Sequence, residues 1–234
     1  MKRPHLVSYL MLSAGFTVSV AAQAASYTAV ELGTLGGPYS DAYGINISGQ
    51  VVGFSSTTTS GGRDAFMTGA NGQGMTDLGT LGGSYSSYAY GINASGQVVG
   101  SSSTTSGAYH AFITGANGVG ITDLGTLGGT GSTATGINTS GQVVGYSYTL
   151  GGAAHAFLYD NGTMTDLNSL VSLTGGTVLY QALGINDSGQ IIADGSNGQA
   201  YLLTPVPEPG SYAMMLAGLG LVGYVVRRKK QKAA

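Results

Sequence analysis

The residues best suited to chemistry in this sequence are two histidines that recur at equivalent positions. His110 and His155 each begin a His-Ala-Phe triplet, whereas Asp64 and Gln199 hold that position in two other copies. Two histidines on equivalent strands could contribute to a zinc site if further ligands completed it. Because the other two copies lack the histidine and no cysteine or matched carboxylate completes a ligand set, we expect this position to be polar and exposed or rim-facing, with no metal bound.

The carboxylates were considered as a catalytic pair, since glycoside hydrolysis needs only two at a suitable separation. Four of them occupy one repeat position, where we expect turn or backbone hydrogen bonding: Glu31, Asp77, Asp123 and Asp166. Four others break the repeat: Asp41, Asp160, Asp187 and Asp194. Asp160 and Asp187 lie in turn sequences, and Asp41 and Asp194 have no evident partner. We therefore predict a protein that is not an enzyme, with no catalytic residue, no cofactor and no metal.

Three sequence motifs recur in the same order along the chain and must position these side chains. Glu/Asp-Leu-Gly-Thr-Leu-Gly-Gly begins at residues 31, 77 and 123 and decays at 166, with intervals of 46 residues between the first three copies. Gly-Ile-Asn-x-Ser-Gly-Gln follows the same rhythm, and the His-Ala-Phe position recurs at 64, 110, 155 and 199. Four copies of three ordered motifs indicate a repeat architecture.

Each period reads as four short strands, because turn residues separate runs rich in β-branched and aromatic residues. In the second copy we predict strand a at 89–93, strand b at 97–101, strand c at 110–114 and strand d at 120–127. A four-stranded unit of this length has the size of a β-propeller blade. The phenylalanines of the triplets, Phe66, Phe112 and Phe157, are expected to pack between blades.

The order of the strands predicts how the ends of the domain meet. A strand d occurs first, at 26–35, and the last copy ends with strand c at 200–204. We therefore predict an all-β, four-repeat β-propeller-like domain over 26–204, closed by its N-terminal strand, which would remove an exposed edge. Open stacking of the repeats is the alternative.

The repeated motifs resemble those of the extracellular proteins named for the His-Ala-Phe (HAF) repeat, over roughly residues 26–204. That resemblance implies a surface or secreted protein and very little chemistry. Asp64, Gln199 and Tyr201 depart from the triplet pattern.

Charge is strongly segregated along the chain. Seven of its eight cations lie near the two ends, and residues 26–210 contain only Arg63 against all ten carboxylates. Since phosphate binding relies on Lys and Arg, this acidic body excludes a nucleic-acid partner.

The N-terminus has the pattern of a secretory signal peptide over residues 1–25. Lys2 and Arg3 precede an apolar stretch at 6–20, and Ala22 and Ala24 form a small-residue cleavage site for signal peptidase.

The C-terminus combines three elements that differ from the repeats. A proline-rich segment at 205–210 contains Pro207, Glu208 and Pro209, an apolar segment at 211–226 is just long enough for a transmembrane helix, and a basic tail fills 227–234. The bases of this tail should stay on the cytoplasmic side. They are Arg227, Arg228, Lys229 and Lys230. A buried core helix is the alternative, but no amphipathic pattern supports it.

This combination resembles the PEP-CTERM sorting signal. The resemblance implies recognition by an exosortase, a membrane protease of Gram-negative bacteria that make exopolysaccharide, with cleavage near the Pro-Glu-Pro segment. The protein would then be anchored transiently in the inner membrane and released to the cell surface or secreted.

These features predict an exported, non-enzymatic repeat protein of the surface or extracellular matrix, linked to biofilm or exopolysaccharide. A carbohydrate-binding, lectin-like module is the alternative. In that case Tyr, Asn, Ser and Thr in the b–c loops, as at 146–155, would stack on sugars and hydrogen-bond to them.

Overall fold

The structure is a computed structural model that describes residues 26–58 and 62–206. Its regular structure is all-β, with three single-turn 3-10 helices and no α-helix in the described ranges. The strands are β1 Gly36–Ile45, β2 Val51–Thr57, β3 Arg63–Thr68, β4 Met75–Asp77, β5 Gly82–Ile92, β6 Val98–Thr104, β7 Tyr109–Thr114, β8 Ile121–Asp123, β9 Gly128–Ile137, β10 Val143–Thr149, β11 Ala154–Asp160, β12 Thr163–Asp166, β13 Leu179–Ile185, β14 Ile191–Gly195 and β15 Ala200–Leu203.

The strands form four antiparallel sheets, one for each sequence repeat. The first three sheets contain β1–β4, β5–β8 and β9–β12 in sequence order, and the fourth contains only β13–β15. All pairs are antiparallel neighbours in the chain, so each sheet is a meander. The predicted all-β class and the one-sheet-per-repeat organisation are confirmed.

Two turn positions show why asparagine and glycine recur in the repeats. Gly96, in the turn between β5 and β6, has φ +75°, and Asn117, between β7 and β8, has φ +55°. Left-handed backbone of this kind favours Gly and, among other residues, Asn. The short a–b and c–d connections predicted from these residues are therefore confirmed.

The core consists of three hydrophobic clusters, each between consecutive sheets. The first joins sheets one and two around Val52 and Phe112, the second joins sheets two and three around Val99 and Phe157, and the third joins sheets three and four around Val144. Phe66, Phe112 and Phe157 are fully buried, and the predicted packing between sheets is confirmed for Phe112 and Phe157, which belong to the first two clusters. In the described part of the chain, no such cluster joins the first sheet to the fourth.

The predicted boundaries of strands a and d were wrong. Strand d of the second repeat ends at Asp123, and strand a begins at Gly82, inside the Leu-Gly-Gly motif. A Cβ on Gly83 would lie 2.6 Å from the backbone of β6, so only glycine permits this close approach. The Asp-Leu-Gly-Thr-Leu motif is therefore the connection that leaves one sheet and enters the next.

This shift in phase also overturns the predicted ring closure. Residues 26–34 form no strand, Leu35 forms an isolated bridge with Thr57 of the first sheet, and the fourth sheet has three strands. The N-terminal copy of the motif acts as the connection into the first sheet and does not supply a fourth strand to the last sheet. The described residues contain no closed propeller.

An asparagine ladder links the four repeats in one direction. The Nδ2 of Asn46 donates to the Asn93 carbonyl at 3.1 Å, Asn93 donates to Asn138 at 3.0 Å, and Asn138 donates to Asn186 at 3.2 Å. Each of these asparagines also fixes its own a–b turn through Oδ1, as Asn93 does with the N–H groups of Ser95 and Gln97. The ladder shows that successive sheets are related by nearly the same displacement.

In the part of the chain that the structure describes, no helix has the length and apolarity needed to cross a membrane. The predicted signal peptide at 1–25, the segment at 211–226 and the tail at 227–234 lie outside the described residues, as does most of 205–210.

Candidate functional site

The histidines of the triplets are paired with aspartates of the next strand in the same sheet. His110 Nδ1 lies 2.8 Å from Asp123 Oδ2, and His155 Nδ1 lies 2.6 Å from Asp166 Oδ2. Each histidine thus has one carboxylate partner, which sequence reasoning did not pair with it. The partner is the repeated aspartate, for which only turn or backbone hydrogen bonding was predicted, and antiparallel pairing of strands c and d brings the two together.

The same aspartates also perform the predicted turn role. Asp77 and Asp123 accept hydrogen bonds at 2.7 Å from the N–H groups of Gly79 and Gly125. Asp166 accepts one at 2.9 Å from Asn168. Asp77, Asp123 and Asp166 thus each hold the chain where it leaves strand d, which is a structural function.

The pair in the first sheet consists of two carboxylates. Asp64 takes the histidine position opposite Asp77, and burial together with the negative charge of Asp77 raises the pKa of Asp64. In the third sheet, burial acts to raise the pKa of Asp166, but hydrogen bonds from His155 and Asn168 outweigh it, so the pKa is lowered overall. These shifts reflect local pairing within each sheet.

The His–Asp pairs do not form a metal site. Across residues 26–58 and 62–206, no three His, Cys, Asp or Glu side chains lie together as a metal site. A His–Asp pair supplies at most two ligands, whereas a structural zinc site needs four.

The repeat-breaking acids do not meet at one site. Asp160 accepts a hydrogen bond from Gln142 Nε2 at 3.2 Å, and Asp187 accepts one from Thr139 N at 2.9 Å, which lowers the pKa of Asp187. Asp41 lies on β1 opposite Phe54, and Asp194 lies on β14 in the fourth sheet. Asp41 and Asp194 thus belong to the first and the last sheet.

An aromatic cluster with one cation departs most clearly from the repeat pattern. Arg63 is the only cation between residues 26 and 206, and its guanidinium carbon lies 5.7 Å from the ring centre of Tyr39 and 5.4 Å from that of Phe54. Arg63 Nε donates to the Tyr39 hydroxyl at 2.8 Å. Hydrogen bonds with Tyr39 and Tyr88 raise the pKa of Arg63, so its charge is permanent.

Aromatic side chains from the first two sheets extend this cluster into a continuous surface. Phe54 contacts Tyr88 with ring centres 5.2 Å apart, and Tyr43 contacts Tyr90 at 5.5 Å. Phe54 is buried, whereas Tyr39, Tyr43 and Tyr109 are exposed. We define the aromatic cluster as Tyr39, Tyr43, Phe54, Arg63, Tyr88, Tyr90 and Tyr109.

Sequence reasoning missed this cluster because its members come from five different strands in two sheets. The alternative carbohydrate site is predicted at 146–155 as a b–c loop, but the structure places Tyr146 and Tyr148 on β10, where their rings make an edge-to-face contact with centres 6.3 Å apart. The signal that could have found the cluster was Arg63 itself, an isolated cation in an acidic body with many tyrosines. Exposed tyrosine faces beside a guanidinium are suited to stack on a planar or sugar ring and to hydrogen-bond to its substituents.

The residues predicted for sorting and processing lie outside the described ranges. They are Ala22, Ala24, Pro207, Glu208, Pro209, Arg227, Arg228, Lys229 and Lys230. Their roles remain predictions from the sequence.

Comparison with known families bears on this terminal segment. Residues 205–230 match the model of the PEP-CTERM protein-sorting motif. The match indicates an exported protein that an exosortase sorts to the cell surface. No curated protein matches the chain.

Proposed function

We propose that the repeat domain is a non-enzymatic component of the cell surface or extracellular matrix, delivered by exosortase and associated with biofilm or exopolysaccharide. The observation that carries the proposal is the match of residues 205–230 to the PEP-CTERM motif. The resemblance of the repeats to HAF-repeat proteins supports the same destination. On this view the segment at 211–226 anchors the chain in the inner membrane until the motif is cut.

Mass spectrometry of the C-terminus tests the sorting step. In a host with an exosortase, we expect the surface or secreted protein to end near Pro207–Pro209 and to lack residues 211–234. Replacing Glu208 by Ala should leave an intact C-terminus in the membrane fraction, whereas Pro205→Ala, outside the trio, should be processed normally. Recovery of an intact C-terminus on the wild-type surface protein would contradict the proposal.

The alternative function, carbohydrate binding, is favoured by the aromatic cluster. Tyr39 and Tyr43 are exposed, the Arg63 guanidinium lies beside Tyr39 and keeps N–H groups other than its Nε–H for a ligand, and the surrounding body is acidic. Neutral or basic polysaccharides fit this chemistry better than acidic ones, although the guanidinium provides one site for a carboxylate.

A glycan array with the purified full-length chain tests this alternative. We expect Tyr43→Ala and Arg63→Ala each to weaken binding at least tenfold. Tyr180→Ala removes a similarly exposed tyrosine from the fourth sheet and should leave binding unchanged. An array on which the wild-type chain binds no glycan, or on which all three variants bind equally, would dispose of the lectin function at this cluster.

A further inference from the structure

The outer face of the fourth sheet exposes positions that the other sheets bury. Val52, its counterpart in the first sheet, is fully buried, whereas Ile192 is 50% exposed. Leu202 is 63% exposed, although Met67 at the same repeat position is buried. Ala200 is exposed, although the three equivalent alanines are fully buried. The fourth sheet thus presents the face that the first three sheets use to pack against the following sheet.

The first sheet shows the complementary pattern. Ile45 is 69% exposed, whereas its counterparts in the other sheets pack into the three hydrophobic clusters. Those counterparts are Ile92, Ile137 and Ile185. Ala42 is exposed, and the equivalent Ala89, Ala134 and Ala182 are fully buried. The first sheet therefore exposes part of the surface with which every later sheet packs against the preceding one.

We propose that these two faces bind each other between copies of this chain, head to tail, so that the fourth sheet of one copy packs against the first sheet of the next. A second copy is the occupant that the structure favours, because the two faces are the two halves of an interface already formed three times within the chain. The inference concerns the repeat domain alone and does not depend on the sorting signal or on sugar binding.

The hydrogen-bonding groups at the two ends fit the same arrangement. In the described residues, Asn186 Nδ2 donates only to Gln190, whereas the first three ladder asparagines also donate to the next repeat. The next acceptor in the series is the Asn46 carbonyl of a second copy.

The Asp-Leu-Gly-Thr-Leu motif that connects the sheets supplies a second hydrogen bond that would continue from one copy to the next. Leu78 N–H donates to the Ala65 carbonyl, and Leu124 N–H donates to that of Ala111, each at 2.9 Å. In the fourth sheet the corresponding carbonyl belongs to Ala200, and the corresponding donor is Leu32 of the second copy. Leu32 already packs over Gly72 as Leu78 packs over Gly118, so the N-terminal motif copy has the required conformation.

One pair of residues makes this contact weaker than the internal ones. Phe54 of the first sheet contacts Tyr88 of the second, with ring centres 5.2 Å apart. At the two end faces, Asp194 occupies the position equivalent to Phe54, and Asp41 occupies the position equivalent to Tyr88. In the assembly Asp194 of one copy would oppose Asp41 of the next, and like charges at short range disfavour association. Because the contact is heterologous and need not close, it would generate a reversible linear assembly.

Cysteine cross-linking of the full-length chain in mild detergent tests the register. The native chain has no cysteine. Residue 47 is the counterpart of Thr139, whose N–H contacts Asp187 Oδ1 at 2.9 Å within the chain. In the proposed assembly, residue 47 of one copy therefore lies beside residue 187 of the preceding copy. We expect a mixture of the Ile47→Cys and Asp187→Cys variants to give dimers with a short bis-maleimide, and neither variant alone to do so. A chain carrying both cysteines should give a series of oligomers of increasing size. A chain with Thr139→Cys and Asp187→Cys is the internal control, because it shows whether the cross-linker can span this distance within one chain.

The other outcomes are each decisive. Dimers in the single-variant samples would show that like ends associate, and a cross-linked monomer from the double variant would show ring closure. Absence of any product while the internal reference cross-links would show that the end faces do not meet. All three results would overturn the proposal.

Charge replacement tests the same contact without cross-linking. Asp194→Lys should strengthen association at least several-fold, since it places a cation opposite Asp41, and Asp41→Lys should do the same. A chain with both replacements should return to weak association, because lysines then oppose each other. Leu202→Asp should abolish association, whereas Leu150→Asp, in an exposed b–c loop, should have no effect. Equal association of all these chains by sedimentation would contradict the assigned contact.

Discussion

The second and fourth sheets are built from the same sequence motifs but differ in how much of their surface is covered. The second sheet packs against neighbours on both faces, through the clusters around Phe112 and Val99. The fourth sheet packs on one face only, and Ile192 and Leu202 remain exposed on the other. The contribution of a residue to stability therefore depends on which sheet it belongs to, as well as on its position in the motif.

The polar groups that recur in each repeat follow the same rule. The side chain of Asn93 is buried and bonds to its own turn and to the next repeat, whereas the side chain of the equivalent Asn186 is exposed and bonds only within its own repeat. Nearest-neighbour packing of this kind is typical of repeat proteins, whose stability is approximately a sum of repeat and interface contributions. Substitutions at matched positions can therefore measure what each interface contributes.

The largest difference in stability cost between the second and the fourth sheet is expected at the phenylalanine position of the triplet. Phe112 is fully buried between the first two sheets, so Phe112→Ala should lower the free energy of unfolding by about 3–5 kcal/mol. Tyr201, its counterpart in the fourth sheet, is only partly buried, and Tyr201→Ala should cost less than half as much. Urea denaturation of both variants measures the two costs; equal costs would mean that the end sheet is as tightly packed as the inner ones.

A smaller difference is expected at the asparagine ladder. Asn93→Ala leaves the N–H groups of Ser95 and Gln97 and the Asn138 carbonyl without their partner, and we expect it to lower the free energy of unfolding by about 1–3 kcal/mol in total, because water can reach some of these groups. Asn186→Ala removes equivalent turn bonds where water can replace them, so we expect less than about 1 kcal/mol. Thermal unfolding of the two variants, with hydrogen exchange at residues 95 and 97, separates the two positions. An Asn186→Ala chain as unstable as Asn93→Ala would indicate that the end of the ladder is covered.

The sequence predicted the part of the fold that depends on local patterns. Repeat number, the four-stranded unit and the turns at Gly96 and Asn117 all follow from residue types that have few alternative conformations. The His–Asp pairs and the aromatic cluster were missed, because they depend on the register between strands, which the motifs alone do not set.

The error at the ends of the domain has a specific physical cause. Asp-Leu-Gly-Thr-Leu has the apolar spacing of a strand, and we assigned it to strand d. In the structure Gly82, with φ +88°, turns the chain, and Leu81 N–H bonds to the Ser102 hydroxyl at 2.8 Å, so the motif crosses between sheets. A side-chain acceptor on another repeat decides this path, and single-sequence patterns do not report it. The predicted closure depended entirely on that assignment.

The smallest effect is expected from the acidic pair of the first sheet, compared with the His–Asp pair of the third. The raised pKa of Asp64 means that its charged form is disfavoured in the folded state, so its contribution to stability falls as pH rises through the interval between its unfolded and folded pKa values. The lowered pKa of Asp166 has the opposite consequence: its contribution is present above the unfolded pKa and is lost as pH falls through the folded pKa.

At neutral pH, Asp64→Asn should therefore stabilise the fold by a few tenths of a kcal/mol after solvent screening, and Asp166→Asn should destabilise it. Melting temperatures from pH 3 to 7 measure both slopes, and Asp64→His, which recreates the pair of the second sheet, should stabilise at least as much as Asp64→Asn. Parallel pH profiles for the Asn variants would show that Asp77 and His155 do not govern the two carboxylates in these opposite ways.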